Sequence, residues 1–161
     1  GQAGTGFSTM RGRSYPTINQ FTVFLENRVG ALRQLLRCFE RTGVRIVGLD
    51  IAEATECAFV RLVLSDAERG REILELAKMA IVESDLVGVE LLPEPQPLLR
   101  VCTSLLQAEV NVNQITSLLI RPHGSPAVGL KVDNVELATD TLELAGLKIL
   151  REEDLLGDDV E

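Results

Sequence analysis

Phe21-Thr-Val-Phe-Leu-Glu-Asn-Arg-Val-Gly-Ala-Leu32 is the stretch whose reading decides the fold. Phe21, Val23 and Leu25 alternate with Thr22 and Phe24, the period of a strand with one face turned to a core. Asn27-x-x-Gly30 breaks that alternation, and a helical pattern follows, with Val29, Leu32, Leu35, Leu36 and Phe39 inward and Arg33, Arg37, Glu40 and Arg41 in water. Thr42-Gly43 closes the helix, with glycine where a left-handed backbone is needed.

The same unit recurs. Displaced by 66 positions, Val23–Asp50 overlies Val89–Thr116 without a gap. Val23/Val89, Leu25/Leu91, Leu32/Leu98 and Val44/Val110 are identical, and Leu35/Val101, Phe39/Leu105, Ile46/Val112 and Leu49/Ile115 keep apolar on apolar. After a small length change the match resumes at a displacement of 68, where Leu74-Glu-Leu76 meets Leu142-Glu-Leu144.

Between the matched ends, 45–54 and 57–64 read as strands around a polar Thr55-Glu56 turn. Ser65-Asp66 caps a helix with the stripe Ala67, Gly70, Leu74, Ala77 and Ile81. Residues 79–92 are extended, interrupted at Ser84-Asp85 and stopped by Pro93, so they form either one strand bridging two sheets or two strands with a break. The second copy follows the same order. A Pro93-Glu-Pro-Gln-Pro97 loop leads into a helix with Leu98, Val101, Cys102 and Leu105 inward. Strands at 110–120 and 127–132 flank Pro122–Pro126; a helix at 135–145 and a strand at 147–151 complete it. Two β-α-β-β-α-β units result, an α+β fold of two ferredoxin-like repeats side by side, with antiparallel sheets and helices on one face. The expected divisions are a flexible tail over 1–17, one repeat over 18–85, a second over 86–155 and an acidic tail over 156–161.

Composition excludes several classes. A net charge of −8 on 161 residues leaves no basic patch for nucleic acid or an anionic membrane, and Arg11 and Arg13 are too few to make one. No apolar run approaches the ~18 residues of a membrane span, and the N-terminus has no signal-peptide pattern. With 45% hydrophobic and 4% aromatic residues, the chain carries an ordinary aliphatic core. Cys38, Cys57 and Cys102 are odd in number and without CxxC spacing, which fits a reducing cytoplasm and three small core residues.

The loop Glu26-Asn27-Arg28-Val29-Gly30 is the candidate site. A strand-to-helix loop presents unpaired N–H groups where the helix dipole favours a carboxylate. Asn27 both donates and accepts, as an α-amino acid demands, and Gly30 permits close approach. The plainer alternative is that Asn27 caps the helix and Gly30 relieves crowding. His123, the sole histidine, reads as an exposed loop residue, lacking a nucleophile or second histidine beside it. Glu68, Glu72, Glu75, Glu83 and Asp85 read as a solvated face. Gly1-x-x-Gly4-x-Gly6 has neither strand before it nor helix after it, so it is no dinucleotide motif. No catalytic constellation, cofactor motif or metal-ligand set emerges.

Val23-Phe-Leu-Glu-Asn-Arg-Val-Gly-Ala-Leu32, with Leu35-Leu36-x-x-Phe39 and Gly43-Val-x-Ile46, resembles the opening of an ACT domain, and residues 19–155 resemble a tandem pair of them. The resemblance implies a non-catalytic module that binds an amino acid at an interface beside the first strand-to-helix loop. It implies contacts from Asn27, Arg28, Val29, Gly30, Ala31 and Leu32, assembly as a homodimer, and allosteric control of amino-acid metabolism. In the second copy Pro93 stands for Asn27 and Gln96 for Gly30, so the resemblance implies binding by the first copy alone, the second completing the interface. The opening is also similar to the small regulatory subunit of acetolactate synthase, which implies a catalytic subunit of a biosynthetic enzyme as an alternative partner.

Overall fold

A computed structural model describes residues 15–156. The expectations for 1–14, including Arg11, Arg13 and the glycine-rich start, and for the acidic end from 157 onward lie outside the described residues.

The first strand, β1 (Ile18–Glu26), buries Phe21, Val23 and Leu25 on one face, as its alternation dictates. Helix α1 (Ala31–Arg37) is short. Its end tightens into bonds of three-residue span, Cys38 N–H to Leu35 O (3.1 Å), Phe39 N–H to Leu36 O (3.2 Å) and Glu40 N–H to Arg37 O (3.1 Å), which swing Phe39 into the core. The helix therefore stops well before Thr42-Gly43, and Val29, expected to face inward, precedes it and stands in solvent.

Strands β2 (Ile46–Glu53) and β3 (Cys57–Leu64) form the expected hairpin, closed by Ala54 N–H donating to Cys57 O at 2.9 Å. Asp66 caps α2 (Ala67–Leu76), accepting from Arg69 N–H at 3.0 Å. Gly70 lets α2 lie tight on β3: a Cβ there would sit 2.3 Å from Leu64 Cδ1. Phe21, Val23, Leu35, Phe39, Val60, Leu62 and Leu74 form the first core.

Strand β4 (Ala80–Glu90) answers the question left open by the sequence. It is one unbroken strand of 11 residues. Residues 80–86 pair antiparallel with β1 (Phe24↔Ala80 to Ile18↔Leu86), and 87–90 pair with β6 on the opposite edge (Val87↔Leu130).

The second unit comprises α3 (Pro97–Gln107), β5 (Val112–Ser117), β6 (Ala127–Val132) and α4 (Val135–Leu144). Val101, Leu105, Val128, Leu130, Ala138 and Leu142 fill its core, whereas Leu98, expected inward, is exposed. Asn134 caps α4 through Leu137 N–H (3.0 Å).

The last expected strand shrinks to a bridge, Val89↔Ile149, with Glu90 N–H to Lys148 O (3.0 Å) and Leu150 N–H to Gly88 O (2.8 Å). Its extension is blocked, because Ile18 of β1 already pairs with Leu86 on that edge of β4. The chain turns away into a 3₁₀ segment, Glu152–Leu156.

The sheet order is β2-β3-β1-β4-β6-β5. Two helices cover one face of each unit. The opposite faces turn toward each other around a third core of Ile18, Val47, Val63, Leu86, Leu118, Ala127, Leu150 and Leu155. Here the outer strands meet, and Leu119 N–H donates to Val47 O at 2.7 Å. Beside this core Gln114 Nε2 donates to Gln20 Oε1 (2.6 Å) and Thr116 Oγ1 (2.6 Å), and Arg61 Nε donates to Asp50 (2.7 Å). Gln20 and Thr116 are buried, so this network removes the cost of unpaired polar groups between the units.

Candidate functional site

The loop after β1 is built around Gly30, which sits at φ +90° and serves as the N-cap of α1 without a side-chain hydrogen bond. That backbone is open to glycine at little cost and strained for other residues. Asn27 does not cap the helix, contrary to the plainer reading; its Nδ2 reaches toward Glu53 Oε2 at 3.5 Å. Arg28 lies across the loop, donating from Nε to Glu26 Oε1 (3.1 Å) and from Nη2 to Gln34 Oε1 (3.0 Å). Ala31 is buried under the helix start, and Leu32 packs half-buried against the first core. Val29 projects into solvent.

Of these six residues, Arg28 and Ala31 line a cleft of about 360 Å³ between the loop and the turn joining α2 to β4. Glu26, Gln34, Lys78 and Met79 join its wall with Phe24, Leu25, Ala77 and Ala80. Lys78 was not singled out by the sequence, because it enters from a turn far along the chain. Its φ of +59° bends that turn back toward the loop.

The corresponding loop of the second unit is different. Gln96 precedes α3 at φ −131°, Pro97 occupies the first turn, and Arg100 clamps the loop by donating from Nε and Nη2 to Glu94 (2.7 and 2.9 Å). That pair holds the Glu94 carboxyl below its ordinary range.

A larger cleft of about 680 Å³ opens at the start of α2. Three of the carboxylates read as solvated, Glu68, Glu83 and Asp85, gather there with Asp66, Glu152 and Glu153. Arg71 binds Glu83 through two bonds (2.7 and 2.8 Å), and these, with the Asn19 amide, lower the Glu83 pKa to about 2. Burial raises the Glu152 pKa, opposed by a hydrogen bond from Asn19 N–H and reinforced by Asp66, Asp85 and Glu153. Among the described residues, no group of three or more His, Cys, Asp or Glu is placed to hold a metal ion.

His123 is exposed in its turn, as expected, but it has partners. Its Nδ1 lies 2.6 Å from Glu90 Oε2 and its Nε2 3.5 Å from Asp154 Oδ1, tying the Pro122–Gly124 turn to β4 and to the C-terminal 3₁₀ segment. A single histidine in a turn carries no sequence signal for partners 33 and 31 residues away. The cysteines are all half-buried, and burial raises the Cys38 pKa.

Two ferredoxin-like units joined through one strand, with a glycine-opened strand-to-helix loop in the first and a proline-closed one in the second, define a paired α+β module. The chain belongs to the ACT domain pair family, whose description matches residues 16–157. A solved structure of a protein from Bacteroides thetaiotaomicron is similar, with TM-score 0.78 and 22% identity over 87% of this chain and 96% of that one. The regulatory subunit of aspartate kinase from Thermus thermophilus, in ligand-free form, has TM-score 0.55 and 12% identity, covering 81% of this chain and 92% of that one. The same subunit from Thermus flavus has TM-score 0.51 and 13% identity, covering 82% and 94%. At these identities the likeness is one of fold. None of the curated proteins matches the chain by sequence. No helix among the described residues is long and apolar enough to cross a membrane.

Proposed function

We propose that this chain is a cytoplasmic amino-acid-binding regulatory module without chemistry of its own. Its repeats divide at Asp85/Leu86, and it acts as a homodimer. The first unit holds the ligand through the loop Asn27–Leu32, and the second completes the packing that the ligand biases. Ligand shifts the arrangement of units only to the extent that it binds one arrangement more tightly. The observation that carries this reading is the contrast between the two loops: Gly30 opens the first, while prolines and the Glu94–Arg100 pair close the second. A non-catalytic role also fits His123, whose two ring nitrogens face Glu90 and Asp154 within the fold.

The test is a titration of the twenty amino acids against the purified chain, by thermal shift and then by calorimetry. A ligand at about a hundred times its dissociation constant adds roughly 2.7 kcal/mol of stability. Arg28→Ala and Asn27→Ala should weaken binding while leaving the circular-dichroism spectrum unchanged. Affinity unaltered in both variants would sink the site.

A second reading concerns the partner. Leu99, Leu106 and Leu144 stand largely exposed on α3 and α4 (62%, 75% and 89%), which favours a protein surface over these helices. The catalytic subunit of a biosynthetic enzyme, with acetolactate synthase as the specific case, is the occupant this reading names. Co-purification of a large catalytic chain checks it, and its loss in Leu106→Glu would locate the contact.

A further inference from the structure

We propose that the first-unit cleft selects an amino acid with an acidic side chain. This inference rests on the reading of that cleft as the ligand site.

The argument begins with charge. The cleft lined by Asp66, Glu68, Glu83 and their neighbours holds six carboxylates and one guanidinium. The two beside the second loop each balance one Glu against one Arg. The first-unit cleft, in contrast to these three, has a cationic surplus, with Arg28 and Lys78 against Glu26. On a chain of net charge −8 this is a local reversal of sign.

The surplus is specific to the first unit. At the 66-residue displacement Arg28 corresponds to Glu94, and at the 68-residue displacement Lys78 corresponds to Gly146. Both cations are absent from the second unit, although the turn keeps its shape, with φ +59° at Lys78 and +86° at Gly146. The fold therefore does not require a lysine there.

Chemistry then assigns the groups. An α-amino acid brings one carboxylate and one ammonium. The Arg28 fork suits the carboxylate and Glu26 the ammonium. Arg28 is held ready by Glu26 and Gln34 at 3.1 and 3.0 Å, whereas the Lys78 ammonium makes no hydrogen bond or ion pair among the described residues. A neutral amino acid leaves that cation unmatched. A second carboxylate, on an aspartate or glutamate side chain, meets it, while Leu25, Ala31 and Met79 receive the methylenes. A screened pair near the surface implies a preference of about tenfold over the corresponding amide.

The experiment is calorimetric titration of the full chain with glutamate, aspartate, glutamine, asparagine, lysine and valine, repeated on Lys78→Gln and Arg28→Ala. The expected result is that glutamate or aspartate binds about tenfold more tightly than its amide. Lys78→Gln should erase that preference and leave the affinity for the amide unchanged, and Arg28→Ala should weaken both. Tighter binding of lysine or valine, lost in Arg28→Ala, overturns the acidic specificity and leaves the ligand site standing. An acidic preference that survives Lys78→Gln overturns the role of Lys78. No binding by any of the six overturns the acidic specificity, and silence across all twenty overturns the site as well.

Discussion

The two units agree in their cores and turns and part company in one loop. Leu35 and Val101, and Leu74 and Leu142, occupy matching positions and are fully buried. Asp66 and Asn134 cap matching helices through the same type of bond, at 3.0 Å in each. Even the left-handed turns repeat, Gly43 (φ +81°) with Glu109 (φ +60°) and Lys78 (φ +59°) with Gly146 (φ +86°), although glycine has changed sides each time. At Gly30 and Gln96 the backbone itself differs. The difference separates two demands. Packing holds core and turn positions in both copies, whereas the strand-to-helix loop is free to diverge because little of it is buried.

The strongest way to break the comparison is through the cores. Leu74→Ala and Leu142→Ala each remove a fully buried side chain and should cost about 2–5 kcal/mol. Because β4 belongs to both sheets, urea unfolding of either variant should remain a single transition. Two resolved transitions would show that the units unfold separately. Next come the caps: Asp66→Ala and Asn134→Ala should each cost about 1 kcal/mol, and unequal losses in denaturant midpoint would mean that one helix start is held by its surroundings.

A smaller effect of opposite sign is expected at Lys78. Replacing it with glycine, the residue its counterpart already uses, relieves a left-handed Cβ and should stabilise the chain by about 0.5 kcal/mol. Ligand preference should fall as stability rises, which pairs a melting curve with a titration.

The finest distinction is one of pH. Burial raises the Glu152 pKa in the folded state, so its contribution is fully present below the unfolded value and is lost as pH rises through the folded one. Glu152→Gln should therefore melt above the parent at neutral pH and converge with it in acid. Parallel melting curves across that range would remove the burial cost of the Glu152 carboxylate from the account.

Much of the fold was legible in the chain. Alternation marked β1, the polar Thr55-Glu56 turn marked the β2–β3 hairpin, Asp66 announced its helix, and the displaced repeat supplied the order of the second unit. What escaped was set by contacts distant in sequence. The expected strand near 147–151 is cut short because β1 holds the same edge of β4. Residues 80–90 run unbroken because Ser84 and Asp85 face the pairing residues Gln20 and Asn19, polar partners that no local pattern reveals. The cleft was half visible: Arg28 and Ala31 lie in the opening motif, but Lys78 comes from a turn about 50 residues further on. The exposure of His123 was foreseen, but its partners Glu90 and Asp154 escaped for the same reason.

The meeting of the outermost strands, where Leu119 donates to Val47, bears on how the molecule behaves in a crowd. A strand margin left bare is a template on which other chains can stack, and such stacking ends in insoluble aggregate. Here the two margins of the sheet bend inward and guard each other, with the core around Leu118 and Leu155 sealed between them. Loosening that contact would bare both margins and the core between them, and turbidity in concentrated solution is the expected sign.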